Sequence, residues 1–133
     1  KTNIGFVVLG GVFSEGIDLI DDRLIGSIII GVGLSMVNYE NDALKNYYDL
    51  NSSDDEEKQG YLYSYVYPGI NKFLQAAGRV IRTDSDKGII LLLDDRFLTK
   101  EYEQQYPREW DVIYPCDIAG VDGCIKEFWD KEG

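Results

Sequence analysis

PGINKFLQAAGRVIRTDSDKGIILLL, residues 68–93, decides how the chain is built. Proline has no backbone N–H to lose and suits the first turn of a helix, so Pro68 marks a helix start. The helix is predicted to run to about Arg82, because Ile70, Phe73, Leu74, Ala77, Val80 and Ile81 return at three- and four-residue steps. Thr83-Asp84-Ser85-Asp86-Lys87-Gly88 supplies turn chemistry. Residues 89–93 (IILLL) then form a continuous apolar run, the pattern of a strand buried on both faces. A helix that delivers the chain into such a strand is half of an α/β unit with a parallel sheet.

Two earlier runs have the same character. Residues 4–9 (IGFVVL) predict a strand that Gly10 and Gly11 end, and residues 26–32 (GSIIIGV) predict a second. Residues 38–48 have helical spacing, with Leu44, Tyr47 and Tyr48 on one side, and residues 51–59 (NSSDDEEKQ) read as a charged connector. From about Asp117 to Gly133, Ile125, Phe128 and Trp129 recur at helical spacing. This predicts a packed terminal helix, with a partner-binding helix as the other reading. Three strands make a thin sheet, and the chain opens on Lys1 and enters an apolar run at once. The sequence therefore reads as a piece of a longer polypeptide, with further strands expected before Lys1.

The 133 residues suffice for one domain. An aromatic share of 13% argues against a disordered tail. With 13 basic and 24 acidic residues the net charge is −11, which argues against a large nucleic-acid footprint while leaving room for a local basic patch. Cys116 and Cys124 without any His exclude a closed zinc site, and no metal site is expected. They read as two thiols in a reducing cytosol, although a disulfide stays open. The longest uncharged stretch, about residues 24–39, falls short of the roughly 20 apolar residues of a membrane span. A soluble, cytoplasmic protein without a membrane partner is expected.

Two segments carry chemistry. In residues 75–82 (QAAGRVIR), Gln75, Arg79 and Arg82 fall at i, i+4 and i+7, one face of a regular helix. Gly78 inside that helix costs about 1 kcal/mol relative to Ala, tolerable where a phosphate or a neighbouring backbone must come close. Two guanidiniums that stay protonated suit the charge on a transferring γ-phosphoryl group. Two arginines alone would equally suit a solvated basic face. Residues 11–18 (GVFSEGID) follow a predicted strand, and open α/β sheets bind ligands beyond the carboxyl ends of their strands. Ser14 and Gly16 could offer backbone N–H groups to a phosphate there, and Glu15 and Asp18 could orient a ribose hydroxyl or an arginine. An ordinary polar turn is the other reading. Asp94 and Arg96 read as structural, capping a strand end.

Residues 11–19 (GVFSEGIDL) resemble motif V of the XPD/DinG-type superfamily 2 DNA helicases, and residues 75–82 resemble their motif VI. Residues 84–97 resemble the stretch after motif VI in that family: a turn, a Gly, an apolar strand and Asp-x-Arg-Phe. Tyr106-Pro107-Arg108-Glu109-Trp110 resembles the Pro-x-x-Trp element that comes soon after. The likeness runs from Gly5 to about Trp110 in the family's order. It implies a RecA-like, P-loop NTPase-type parallel sheet flanked by helices and truncated at the N-terminus, with residues 1–133 as the C-terminal part of the second motor domain. It also implies that Arg79 and Arg82 are catalytic, acting on ATP and Mg²⁺ held by the first motor domain, with Gln75 and Gly78 on the nucleotide side. Glu15, Gly16 and Asp18 would serve the nucleotide and Ser14 and Gly16 the single-stranded DNA, so that this loop couples the two. The sequence departs from the family in residues 33–38 (GLSMVN), where a Gly-x-Pro-x-Pro-like turn is usual. It holds no Walker A run, no D-E-x-H box and not the four cysteines of an iron–sulfur cluster. In that family these belong to the first motor domain, so a cluster upstream stays open and Cys116 and Cys124 are not its ligands. The expectation is an ATP-dependent DNA helicase whose isolated 133-residue piece is inactive. The rivals are a DinG-like helicase/nuclease and a non-catalytic interaction module with a relic motor fold. Expected partners are single-stranded DNA, the first motor domain, and a second copy paired through an open sheet edge.

Overall fold

The computed structural model describes residues 3–11, 24–52, 59–81, 83, 86–115 and 117–132. Strand β1 (Gly26–Ile30) pairs in parallel with β2 (Ile89–Leu93), in register from Gly26 opposite Ile89 to Ile30 opposite Leu93. Parallel strands need a long crossover. Here it contains helix α1 (Tyr39–Asn51) and a second helical rod, a π-helical segment (Leu62–Val66) that runs into α2 (Tyr67–Ala77). After β2 come a 3₁₀ turn (Asp95–Leu98), the short α3 (Lys100–Glu103) and α4 (Ile118–Glu132).

The rod follows from its proline. Pro68 sits in the first turn of α2, as its missing N–H predicts. Inside a longer rod its ring would crowd the carbonyl four residues back. The ladder widens just before it: the Tyr67 N–H reaches Leu62 O, five residues back. At the other end α2 stops at Ala77, short of the predicted Arg82. The Gly78 N–H donates to Leu74 O at 2.8 Å, and Arg79 and Val80 donate to Ala76 O and Ala77 O in a tighter turn. The cause is tertiary. Val80 is 4% exposed, and its methyl fills the space that a side chain at Gly88 would need, immediately before β2. Leaving the helix lets Val80 reach the foot of the sheet.

The apolar stripe of the rod, Val66, Ile70, Phe73 and Ala77, packs with Ile29 and Val32. Phe73 is fully buried, with Phe97 edge-on at a ring separation of 5.2 Å and Tyr106 edge-on at 6.2 Å. Tyr102 packs edge-on against Phe97 at 5.7 Å, and the Tyr106 hydroxyl donates to Phe97 O at 2.6 Å. Burial pushes that hydroxyl's pKa up to about 12. A Cβ at Gly69 would lie 2.7 Å from Val32 O, so a glycine is what lets α2 come this close to the loop after β1. Helix α1 forms as expected, capped by Asn38, whose side chain accepts from the Asn41 N–H at 2.8 Å. It ties to the rod through Tyr48 stacked on Tyr63 at 4.7 Å and through the Tyr65 hydroxyl donating to Asp42 at 2.7 Å. The Asp42 carboxylate that accepts this bond holds the Tyr65 hydroxyl at a pKa of about 12.

Two expectations need correction. Residues 4–9 form no strand: Ile4, Phe6, Val7 and Val8 are exposed, Phe6 to 95%, and of this run only Leu9 packs on the core. A strand exists by its ladder, and among the described residues β1 and β2 are the only ladder. Among the described residues only one face of the sheet is covered: Ile29 is buried, while Ile28 (64%) and Ile30 (79%) on the opposite face are exposed. Helix α4 forms, and its stripe of Val121, Cys124, Ile125, Phe128 and Trp129 is partly buried, apart from the core cluster. No helix among the described residues is long and apolar enough to cross a membrane.

At the carboxyl end of β2, Asp94 takes the structural role expected of it. Its Oδ1 accepts from the Arg96 backbone N–H at 2.9 Å and from Arg96 Nε at 2.8 Å, and its Oδ2 accepts from Arg96 Nη2 at 2.8 Å. The guanidinium fork, then the backbone N–H, lower the Asp94 pKa from the ordinary 3.8 to about 2. A depressed carboxyl pKa stabilises the fold above the unfolded value, and that contribution is lost as pH falls through the folded one. Asp94→Asn is therefore expected to flatten the pH dependence of stability between about pH 4 and pH 2, read by urea denaturation across that range; an unchanged profile would remove the role given to this pair. Phe73→Ala is expected to cost about 3–5 kcal/mol in the same assay, and a loss below about 1 kcal/mol would show that the aromatic cluster is not the core.

Candidate functional site

The candidate residues lie along α2 and at its exit. Gln75 is exposed, Gly78 ends the helix, and Arg79 is half-buried in the turn beyond it. The backbone bonds after Ala77 span three residues, so the regular helix predicted through this stretch ends before Arg79. Gly78 has φ −64° and ψ −4°, a conformation open to any residue, so the glycine is not demanded by its dihedrals. A Cβ there would sit 3.3 Å from Leu74 O. Gly78 is exposed at the helix end.

The two ends of α2 lie at opposite ends of the strands. The start of α2, at Gly69, lies against Val32 and Gly33 beyond the carboxyl end of β1. Its exit, at Val80, lies beside Gly88, which itself abuts Ile25; these two residues immediately precede β2 and β1. Gly78 and Arg79 therefore stand at the amino ends of the strands, opposite to the side where open α/β sheets commonly take ligands. The carboxyl side holds instead a shallow hollow of about 240 Å³, lined among others by Tyr61, Leu62, Val66, Arg96 and Tyr102. The Arg96 fork there is already engaged by Asp94.

The segment that leads into residues 11–18 runs beside the same helix. Gly10 turns with φ +77°, and the Gly11 N–H donates to Val8 O at 2.9 Å. A Cβ at Gly10 would lie 3.3 Å from Lys72 Cδ, and one at Gly33 would lie 2.6 Å from Leu9 Cδ2. The structure thus places the entry of the motif V-like segment against the helix that carries the motif VI-like one. Ser14, Glu15, Gly16, Asp18 and Arg82 lie outside the described residues. Sequence reasoning missed Lys72. It precedes Gln75 by three residues on the polar side of the stripe, and extending the same helical spacing back by one turn would have found it.

The helicase C-terminal domain family matches residues 1–112, so only the region of α4 falls outside it. A regulator of telomere elongation helicase 1 homolog from Caenorhabditis elegans is 34% identical over 121 residues, 88% of this chain and 12% of that protein. The 3'-5' exonuclease DinG of Staphylococcus saprophyticus is 46% identical over 41 residues, 30% of this chain and 5% of that protein. A probable ATP-dependent helicase of Methanocaldococcus jannaschii is 26% identical over 97 residues, 70% of this chain and 15% of that protein. The chain spans no more than 15% of the length of these three relatives. Both glycine-bounded segments and the aromatic elements after β2 fall within the matched region. The chain belongs to the helicase C-terminal domain family, in its XPD/DinG-type superfamily 2 branch.

Proposed function

We propose that residues 1–133 are the C-terminal part of the second, RecA-like motor domain of an ATP-dependent DNA helicase of the cytoplasm. The observation that supports this reading most is the exit of α2. An exposed carboxamide (Gln75), an open glycine (Gly78) and a half-buried guanidinium (Arg79) succeed one another at the end of a rod whose other side is fixed in the core. In this reading Arg79 and Arg82 face ATP bound by the first motor domain and stabilise charge on the transferring γ-phosphoryl group. Gln75 and Gly78 border the nucleotide. Glu15, Gly16 and Asp18 link it to single-stranded DNA, which Ser14 and Gly16 contact.

Among the described residues no three carboxylate or thiol groups converge on a metal-sized site. In this reading Mg²⁺ comes with ATP on the first motor domain. Two cysteines do not fit an iron–sulfur cluster either, and any such cluster lies upstream. The likeness to the DinG exonuclease favours a second reading, in which the same motor piece serves a polypeptide that also carries a nuclease. A relic motor fold used only for protein interaction has no reason to keep both Arg79 and Arg82.

In the full-length protein, Arg79→Ala and Arg82→Ala are each expected to lower DNA-stimulated ATP turnover by roughly 10³-fold or more, as for other arginines that meet a γ-phosphate. Undiminished turnover in both variants would end the motor reading, and cleavage of single-stranded DNA by the full-length protein would favour the nuclease-bearing one. The isolated 133-residue chain is expected to hydrolyse no ATP and, with a sheet edge unpaired, to sediment above monomer mass at high concentration. Measurable turnover, or a monomer, contradicts the corresponding half of this expectation.

A further inference from the structure

Gly88 stands immediately before β2, and two neighbours fill the space that a side chain there would take. A Cβ would overlap Val80 Cγ1 and lie 3.1 Å from Ile25 O. That carbonyl is committed to the sheet, because it accepts from the Ile89 N–H at 3.1 Å. It cannot give way without loosening the start of the ladder. Gly88 does not have a left-handed backbone, so contact and not conformation asks for glycine here. The bare Cα forms a notch, and Val80 sits in it at 4% exposure. Among the described residues between α2 and β2, Val80 is the only buried one, so it is the anchor of that segment. The chain folds back from it through Thr83 and Asp86. The Thr83 N–H donates to Asp86 Oδ2 at 2.9 Å, and the Asp86 N–H donates to Thr83 O at 3.1 Å.

Arg79 is the residue joined directly to that anchor. Its N–H donates to Ala76 O at 3.2 Å and the Val80 N–H donates to Ala77 O at 2.9 Å, the three-residue bonds of a tight turn. Such bonds have poorer geometry than those of an α-helix, so the turn persists where something else holds it. Without the seated Val80 the chain is free to wind on as α-helix, for which residues 75–82 have the spacing. The two windings differ by about 20° and about 0.5 Å per residue. Two residues beyond Ala77, that amounts to a turn of about 40° and a shift of about 1 Å at Arg79. A misplacement of about 1 Å at a reacting centre costs on the order of 10²-fold in rate. We propose that Gly88 and Val80 are positioning residues for Arg79: the notch at Gly88 seats Val80, and the seated Val80 fixes the turn from which the guanidinium meets the nucleotide. The inference rests on the motor reading for what Arg79 does, and on the Val80–Gly88 contact for how Arg79 is placed.

The test uses the full-length protein and reads DNA-stimulated ATP turnover beside thermal melting. Gly88→Ala puts a methyl into the notch and is expected to lower kcat roughly 10-fold to 100-fold. KM for ATP is expected to stay within about twofold, because the lost interaction belongs to the transition state. If Gly88→Ala fails to fold, Val80→Ala, which empties the notch, takes its place. The second readout is a double-mutant cycle with Arg79→Lys, which keeps the charge but not the planar fork. In that background the Gly88 change is expected to lower kcat by less than about threefold more, because its effect runs through the residue already altered. An undiminished kcat, a loss that only follows the fraction of protein folded, or a full additive loss in the Arg79→Lys background overturns the proposal. Undiminished turnover of Arg79→Ala protein overturns it as well, and the motor reading falls with it only if Arg82→Ala protein is also undiminished.

Discussion

Phe73 and Gly69 sit one helical turn apart on α2 and set how closely that helix meets the sheet. The Phe73 ring is enclosed by Phe97, Tyr102 and Tyr106, three aromatics supplied by the chain after β2. Gly69 removes the side chain that would hold the helix off Val32. Remove either and the rod loses its seat, together with the residues it presents on its outer side and at its exit. The elements after β2 matter for the same reason. They form the wall against which the site-bearing helix is pressed, with the Tyr106 hydroxyl locking that wall to the Phe97 carbonyl.

Local rules made part of this legible from residues alone. The apolar stripe of α2, its proline-led start, the helix capped by Asn38, and the last apolar strand follow from spacing and cap chemistry. The capping role of Asp94 also followed from its place at a strand end. What was not legible depends on partners distant in sequence. Residues 75–82 have helical spacing throughout, yet the helix yields at Gly78 because Val80 has a better place against Gly88 than on the rod. Residues 4–9 are as apolar as a buried strand, but apolarity does not supply a neighbour, and the ladder is absent. Of the candidate site, Gln75, Gly78 and Arg79 could be placed from spacing, whereas their position at the amino ends of the strands could not. That position depends on the direction in which the helix crosses the sheet.

The motif-bearing segments also acquire a physical relation that their order in sequence does not express. Gly10 and Lys72 are 62 positions apart in sequence, yet the turn at Gly10 lies along the Lys72 stem. The loop after β1 joins them at Gly33. A change in any of these three backbones would be felt by the helix that ends at Arg79. This gives the two family motifs a shared mechanical support within one small layer of structure.

The uncovered side of the sheet has a consequence for how the chain melts. Parallel sheets normally shield both faces, and here Ile28 and Ile30 look outward from a two-stranded ladder. Whatever surface shields those isoleucines adds its own apolar area to the same cooperative unit. A partner that bound that face of the folded chain alone would raise the unfolding midpoint with its own concentration.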